Sequence, residues 1–151
     1  MKPEILFQIL NNLVLLVWIL MIVAPKWKVT RKITATFALT IILSIVYGAI
    51  IITSFGKVDF MDFGSLDGIV KMLQNSDAWG SSAIWYHFLA FDLFVGSWIL
   101  KDAQKLGIPH LTIIPCLLFT FMLGPLGFLI YQIVKFGYLR FKKGRLNADL
   151  F

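Results

Sequence analysis

Four apolar blocks, near residues 5–24, 33–54, 81–100 and 110–134, contain neither Lys nor Arg. Each is roughly 20 residues long, about what an α-helix needs to traverse a ~30 Å hydrocarbon core at 1.5 Å per residue. Hydrophobic residues make up 59% of the 151-residue chain, more than a soluble domain of this size could cover with polar surface. The expected fold is therefore all-α: an integral membrane bundle of four transmembrane helices. It uses the whole chain, 1–151, as a single membrane domain with a basic tail at 135–151.

The fourteen Lys and Arg residues lie outside the blocks, so the net charge of +6 belongs to segments facing water or lipid headgroups. Membrane lipid is the expected partner, and nucleic acid is not. In the tail, KFGYLRFKKGR alternates aromatics with cations, as interfacial segments do. Cys116 is the single cysteine; it cannot form an internal disulfide and reads as core filler. The first block is longer than the apolar core of a signal sequence and is expected to remain as a span. The expected location is a bacterial inner (cytoplasmic) membrane.

Punctuation along the chain adds detail. Pro25 stops the first helix, and PKWKVTRK supplies four cations before the second block begins. Thr36, Thr40, Ser44 and Gly48 place small residues at four-residue spacing, suited to close helix contact. In the link at 55–80, Asp59, Asp62, Asp67 and Asp77 stand against Lys57 and Lys71. There Leu66, Ile69, Val70 and Leu73 follow helical spacing and Ser65 can cap the start, so a short amphipathic helix is expected between the second and third spans. It would act as a bundle lid or as an interfacial float. The fourth block holds Gly124-Pro125-Leu126-Gly127, where a kink is expected because freed backbone groups need partners in protein.

Charge conflicts with four crossings. The links at 25–32 and 101–110 share six basic residues, against eight for the N-terminus, long link and tail. A fourth block that turned back at Gly124–Gly127 would give eleven to three instead. However, the thirteen residues 111–123 rise only about 20 Å and cannot cross alone, so four spans remain the expectation.

Asp92 is the only acid in any block. A carboxylate at the bilayer centre costs about 2.5–3.5 kcal/mol on insertion scales and needs a partner, a proton or a job. His87 lies five positions earlier, about 140° of rotation and about 7.5 Å of rise away, so the two do not share a helix face. Gly96, on the Asp92 stripe, allows a close helix approach. In neutral form the acid can donate to a substrate oxygen and the imidazole can accept a proton, which supplies the parts for acid–base catalysis. Asp92 and His87 are thus the candidate catalytic residues. The competing reading is a packing network joining Asp92 to Asn11, Asn12, Tyr47 or Thr40. No metal site is expected, since ligand-type spacings such as HxxxH or CxxC are missing.

The stretches WYHFLAFDLFVGSWILKDA (85–103), PCLLFTFMLGPLGFLIY (115–131) and NNLVLLVWILMIVAPKWKVT (11–30) resemble the abscisic-acid-deficient-four family over nearly the whole chain. An HxLAxDLF core and a GPxG turn carry the resemblance. It implies a four-helix membrane protein and, for the plant branch, conversion of violaxanthin to neoxanthin. In that isomerisation a carotenoid epoxide opens and a proton is lost to leave an allene, with no net redox change and no cofactor. The compactness of this chain points to a bacterial member. A carotenoid-like or isoprenoid lipid is then the expected ligand, bound by Asn11, Asn12, Trp18, Tyr47, Trp85, Phe91 and Trp98, with Phe88 beside them. Whether the protein acts as a homo-oligomer is left open. The alternative is a non-catalytic membrane accessory or small-ligand carrier protein.

Overall fold

The computed structural model describes residues 2–54 and 60–148; Lys57 and Asp59 of the long link lie outside them. The described residues form seven α-helices and no strand: α1 (Pro3–Val23), α2 (Lys28–Thr36), α3 (Ala38–Thr53), α4 (Leu66–Gln74), α5 (Ala78–Leu106), α6 (His110–Leu123) and α7 (Pro125–Ala148). A 3₁₀ turn, Phe60–Gly64, precedes α4. Two helices, α1 and α5, are long and apolar enough to cross a membrane, and the bent pair α2 and α3 makes a third if it is one span. This differs from the four expected spans.

Local chemistry explains the breaks. Pro3 opens α1, where a missing N–H costs nothing, and Pro25 lies just beyond its end. The expected second span is interrupted at Phe37, which adopts a left-handed conformation with φ 52°. Just before it, the Thr34 and Thr36 hydroxyls donate to the carbonyls of Thr30 and Lys32, each at 2.9 Å, a pattern that bends helices. The Phe37 ring is held 5.1 Å from that of Phe94, with Lys101 Nζ 4.6 Å from its centroid.

The chain divides into two compact units, Met1–Leu15 with Ala38–Ala90 and Leu16–Phe37 with Phe91–Phe151; α1 and α5 run through both. In the first unit Leu10, Val14, Leu43, Leu89 and Ala90 are buried. Ser65 caps α4, its hydroxyl accepting from the Gly68 N–H at 3.1 Å. Gly68 lies so close to the Asp62 backbone that a Cβ would not fit. The small-residue stripe does not make the close contact expected of it: Thr36 and Ser44 are exposed, and nothing lies within 4 Å of a Cβ at Gly48.

In the second unit the fourth expected span is two helices packed on each other. After a turn at Gly107 (φ 75°), α6 runs back along the second half of α5 until Gly124 meets Asp92. Gly124 has φ 39° and Pro125 carries no N–H, so the helix cannot continue and the chain reverses. Gly127 then sits against Thr120, leaving no room for a Cβ. From there α7 returns beside α5 with ascending register. Trp98 meets Phe128 and Tyr131 at 5.7 and 5.6 Å. Asp102 accepts from Tyr131 OH at 2.6 Å and from Lys135 Nζ at 2.7 Å, and Tyr138 OH donates to the Gly107 carbonyl at 2.8 Å. The 14 residues of α6 rise about 21 Å, short of the hydrocarbon thickness.

This reversal carries Lys135, Arg140 and Lys142 back toward the Gly107 turn. The link after α1 is tied to the same end: Gln104 Nε2 donates to the Pro25 carbonyl at 3.4 Å, and His110 Nε2 lies 2.8 Å from the Ile22 carbonyl. Basic residues thus gather at one end of the unit, as the uneven charge count favoured.

Two outcomes are expected. In a Cys116→Ala background, Lys28→Cys and Lys142→Cys, made singly, should react with a membrane-impermeant maleimide from the same side of sealed vesicles; labelling from opposite sides would restore four crossings. Asp102→Ala should lower stability to thermal unfolding in detergent by about 1–3 kcal/mol, because it strands a tyrosine hydroxyl and a lysine. Lys142→Ala should change it by less than about 0.5 kcal/mol.

Candidate functional site

Asp92 is the central residue of α5 and is half-buried. Its carboxyl makes no hydrogen bond or ion pair to any described residue; its close neighbour is Gly124, whose missing side chain leaves room for the carboxyl. On one side of that contact α6 closes properly, with the Gly124 N–H donating to the Thr120 carbonyl at 2.9 Å and the Thr120 hydroxyl to the Cys116 carbonyl at 2.7 Å. On the other side the first turn of α7 leaves backbone N–H groups without intrahelical acceptors. The acid therefore lies beside the start of a helix, where the backbone is broken between α6 and α7.

His87 belongs to the first unit. It lines a cavity of about 240 Å³ with Tyr47, Ile50, Ile84, Phe63 and Met72, and also Ser54 and Ser76, so that three of the lining residues carry hydroxyls. The Tyr47 ring centroid is 5.5 Å from the imidazole, tilted by 56°, and Phe88 is edge-on at 6.0 Å. Most of this wall is apolar; the imidazole is the one nitrogen-bearing side chain among the described lining residues. Asp92 is not among the lining residues.

The other expected ligand-binding residues divide by setting. Trp85 Nε1 donates to Asn11 Oδ1 at 3.2 Å, and Phe7 packs on the same indole at 6.4 Å; the Asn11 amide is thus engaged with Trp85. Asn12 and Phe91 are exposed. Trp18, expected to line a ligand groove, is enclosed at 1% exposure. Its ring fills the space above Gly96, with Cζ3 2.7 Å from where a Cβ would stand, and tilts against Phe121 at 5.5 Å. The close approach that Gly96 permits is therefore taken by an indole. Trp98 packs on α7, with Lys135 Nζ 5.4 Å above its ring. Among the described residues no three His, Cys, Asp or Glu side chains gather as a metal would require.

Sequence reading missed the Asp102–Tyr131–Lys135 cluster and the contact of Asp92 with Gly124. Asp102 lies 29 and 33 positions from Tyr131 and Lys135, and Asp92 lies 32 from Gly124, beyond any helical period, so only the hairpin brings these partners together. The Gly-Pro-Leu-Gly sequence was the available signal.

A family model described as ABA DEFICIENT 4-like matches residues 5–131. No curated protein and no solved structure matches the chain.

Gly124→Ala should cost about 2 kcal/mol or more of stability to thermal unfolding, because it adds backbone strain and collides with the Asp92 carboxyl. Asp92→Ala in that background should recover part of the loss by removing the collision, while the backbone strain remains. A Gly124→Ala protein that melts like the wild type would sink this account of the apex.

Proposed function

We propose that this integral membrane protein, which belongs to the ABA DEFICIENT 4-like family, binds a carotenoid-like or isoprenoid lipid and isomerises it by acid–base chemistry. The observation that carries the reading is the His87 cavity, an apolar pocket with an imidazole in its wall. Its volume of about 240 Å³ is below the ~300 Å³ at which drug-sized ligand pockets begin. It suits one end group of a long molecule whose remaining chain lies along lipid-exposed surface such as Phe88, which is 54% exposed. Isomerisation of an epoxide end group to an allene asks for a proton delivered to oxygen and a proton removed from carbon. His87 takes the base role in this cavity; Asp92, in the other unit and not among the lining residues, is a separate candidate for handling a proton.

The short helix α4 supports a membrane-surface setting for this unit. Of its apolar stripe, Leu66, Val70 and Leu73 are 78%, 41% and 50% exposed; in water these side chains would be uncovered, whereas at a bilayer surface they enter the acyl boundary. Of the two roles open to α4, the interfacial float is the one we adopt. A bacterial inner membrane is the proposed location.

A specific observation favours a second reading of Asp92. Its carboxyl abuts Gly124, so it can serve as the seat of the hairpin apex with no part in turnover, as in a carrier whose polar groups only fix packing.

The two readings separate in a carotenoid-making host. The detergent-purified protein should carry carotenoid absorption bands, and His87→Ala should lower isomer formation by about 100-fold or more with little change in melting temperature. A colourless preparation from pigmented membranes overturns the ligand class. If Asp92→Asn leaves product formation intact but lowers the melting temperature, Asp92 is a seat and not an acid.

A further inference from the structure

We propose that the basic end of the second unit holds a binding site for the phosphate headgroup of an anionic phospholipid, in a cavity between the α1–α2 link and the α5–α6 turn. The cavity measures about 510 Å³ and is lined by Lys26, Arg31 and Gln104 above a floor that includes Ile108 and Ile113. Both floor residues are buried. No carboxylate lines it, and neither Lys26 nor Arg31 forms an ion pair with a described residue. The acid on this stretch of α5, Asp102, is already committed to Lys135 and Tyr131.

The surrounding backbone favours an anion as well. One acceptor at the cavity, the Pro25 carbonyl, is engaged by the Gln104 side chain. The contact at 2.8 Å between His110 Nε2 and the Ile22 carbonyl requires the proton on Nε2, because a carbonyl only accepts. Two helices begin at this cavity, α2 at Lys28 and α6 at His110, and neither start has a side-chain cap. Their unpaired N–H groups add positive potential to that of the two cations. Arg31 can grip a phosphate with two parallel N–H bonds, while Lys26 acts as a point charge.

The same chemistry would suit free phosphate, but the setting selects lipid. Nearby Val23, Trp27 and Leu111 are 76%, 53% and 80% exposed. They bring apolar surface and an interfacial indole to a cavity whose floor is already aliphatic. An amphiphile satisfies both halves; a small soluble anion satisfies only the cations. Further basic residues on the same segments, among them Lys28, Lys32 and Lys105, would hold the site against an anionic leaflet.

Native mass spectrometry of the delipidated full chain in a neutral detergent, titrated with phosphatidylglycerol, phosphatidylcholine or inorganic phosphate, tests this. Phosphatidylglycerol should bind about tenfold or more tighter than phosphatidylcholine. The double variant Lys26→Gln, Arg31→Gln should lose about tenfold in phosphatidylglycerol affinity, while Lys26→Arg, Arg31→Lys, which keeps both charges, should stay within about threefold of wild type. Helical circular dichroism of all three proteins should agree, so that loss of binding is not loss of fold. Equal affinity for the two lipids, or an unchanged Gln double variant, overturns the site. Inorganic phosphate binding as tightly as phosphatidylglycerol overturns the lipid assignment. His87 and Asp92 play no part in this test, so its outcome is independent of the proposed isomerisation.

Discussion

A helix broken within an apolar environment must place its freed N–H and C=O groups against protein, because lipid offers them nothing. In this chain the break falls at Gly124 and Pro125, and much of the second unit follows from how it is accommodated. Gly124 supplies a positive φ and the absence of a Cβ beside Asp92. Gly127 lets α7 close onto Thr120. With the apex packed in this way, α7 returns along α5 and the pairs Trp98–Phe128, Asp102–Lys135 and Gly107–Tyr138 fall into line.

The hairpin changes what the central acid means. A carboxyl alone at mid-span raises the question of what compensates it, and the first candidates were amides and hydroxyls on other helices. Asn11 is instead engaged with Trp85, and what stands beside Asp92 is the turn between α6 and α7. A residue in that position can help to hold a backbone discontinuity, to handle a proton, or both. The His87 cavity in the first unit has a different character, with aliphatic and aromatic walls, three hydroxyl-bearing residues and one imidazole. It needs no broken helix, only the convergence of α3, α4 and α5.

Charge and topology support each other in the second unit. Returning the tail to the end that holds the α1–α2 link concentrates cations there, which is the asymmetry that orients membrane proteins. It also leaves Lys26 and Arg31 facing a cavity without carboxylates. The ion pair of Lys135 with Asp102 removes the acid that would otherwise compete for them. Burial of the same helices, through Trp18, Met21, Ile99 and Leu117, uses ordinary aliphatic and aromatic packing.

Block length and composition were enough to establish a helical membrane protein. The Ser65 cap, the stop at Pro25 and the break at Gly124–Pro125 were also legible, because capping, proline and glycine act through local sterics and hydrogen bonds. The HxLAxDLF core and the GPxG turn carried the family. What the sequence could not decide was the direction of the chain after Gly124: a kinked crossing and a reversal use the same residues, and they differ only in which side chains α7 meets. It also could not separate Trp18, enclosed over Gly96, from Trp85, 44% exposed, since both are indoles on apolar helices. Nor could it pair Asp102 with Tyr131 and Lys135, because contacts between residues so far apart depend on how helices are laid side by side. Local geometry belongs to the sequence, whereas the choice of neighbour across helices belongs to tertiary packing, where shape, burial and charge are satisfied together.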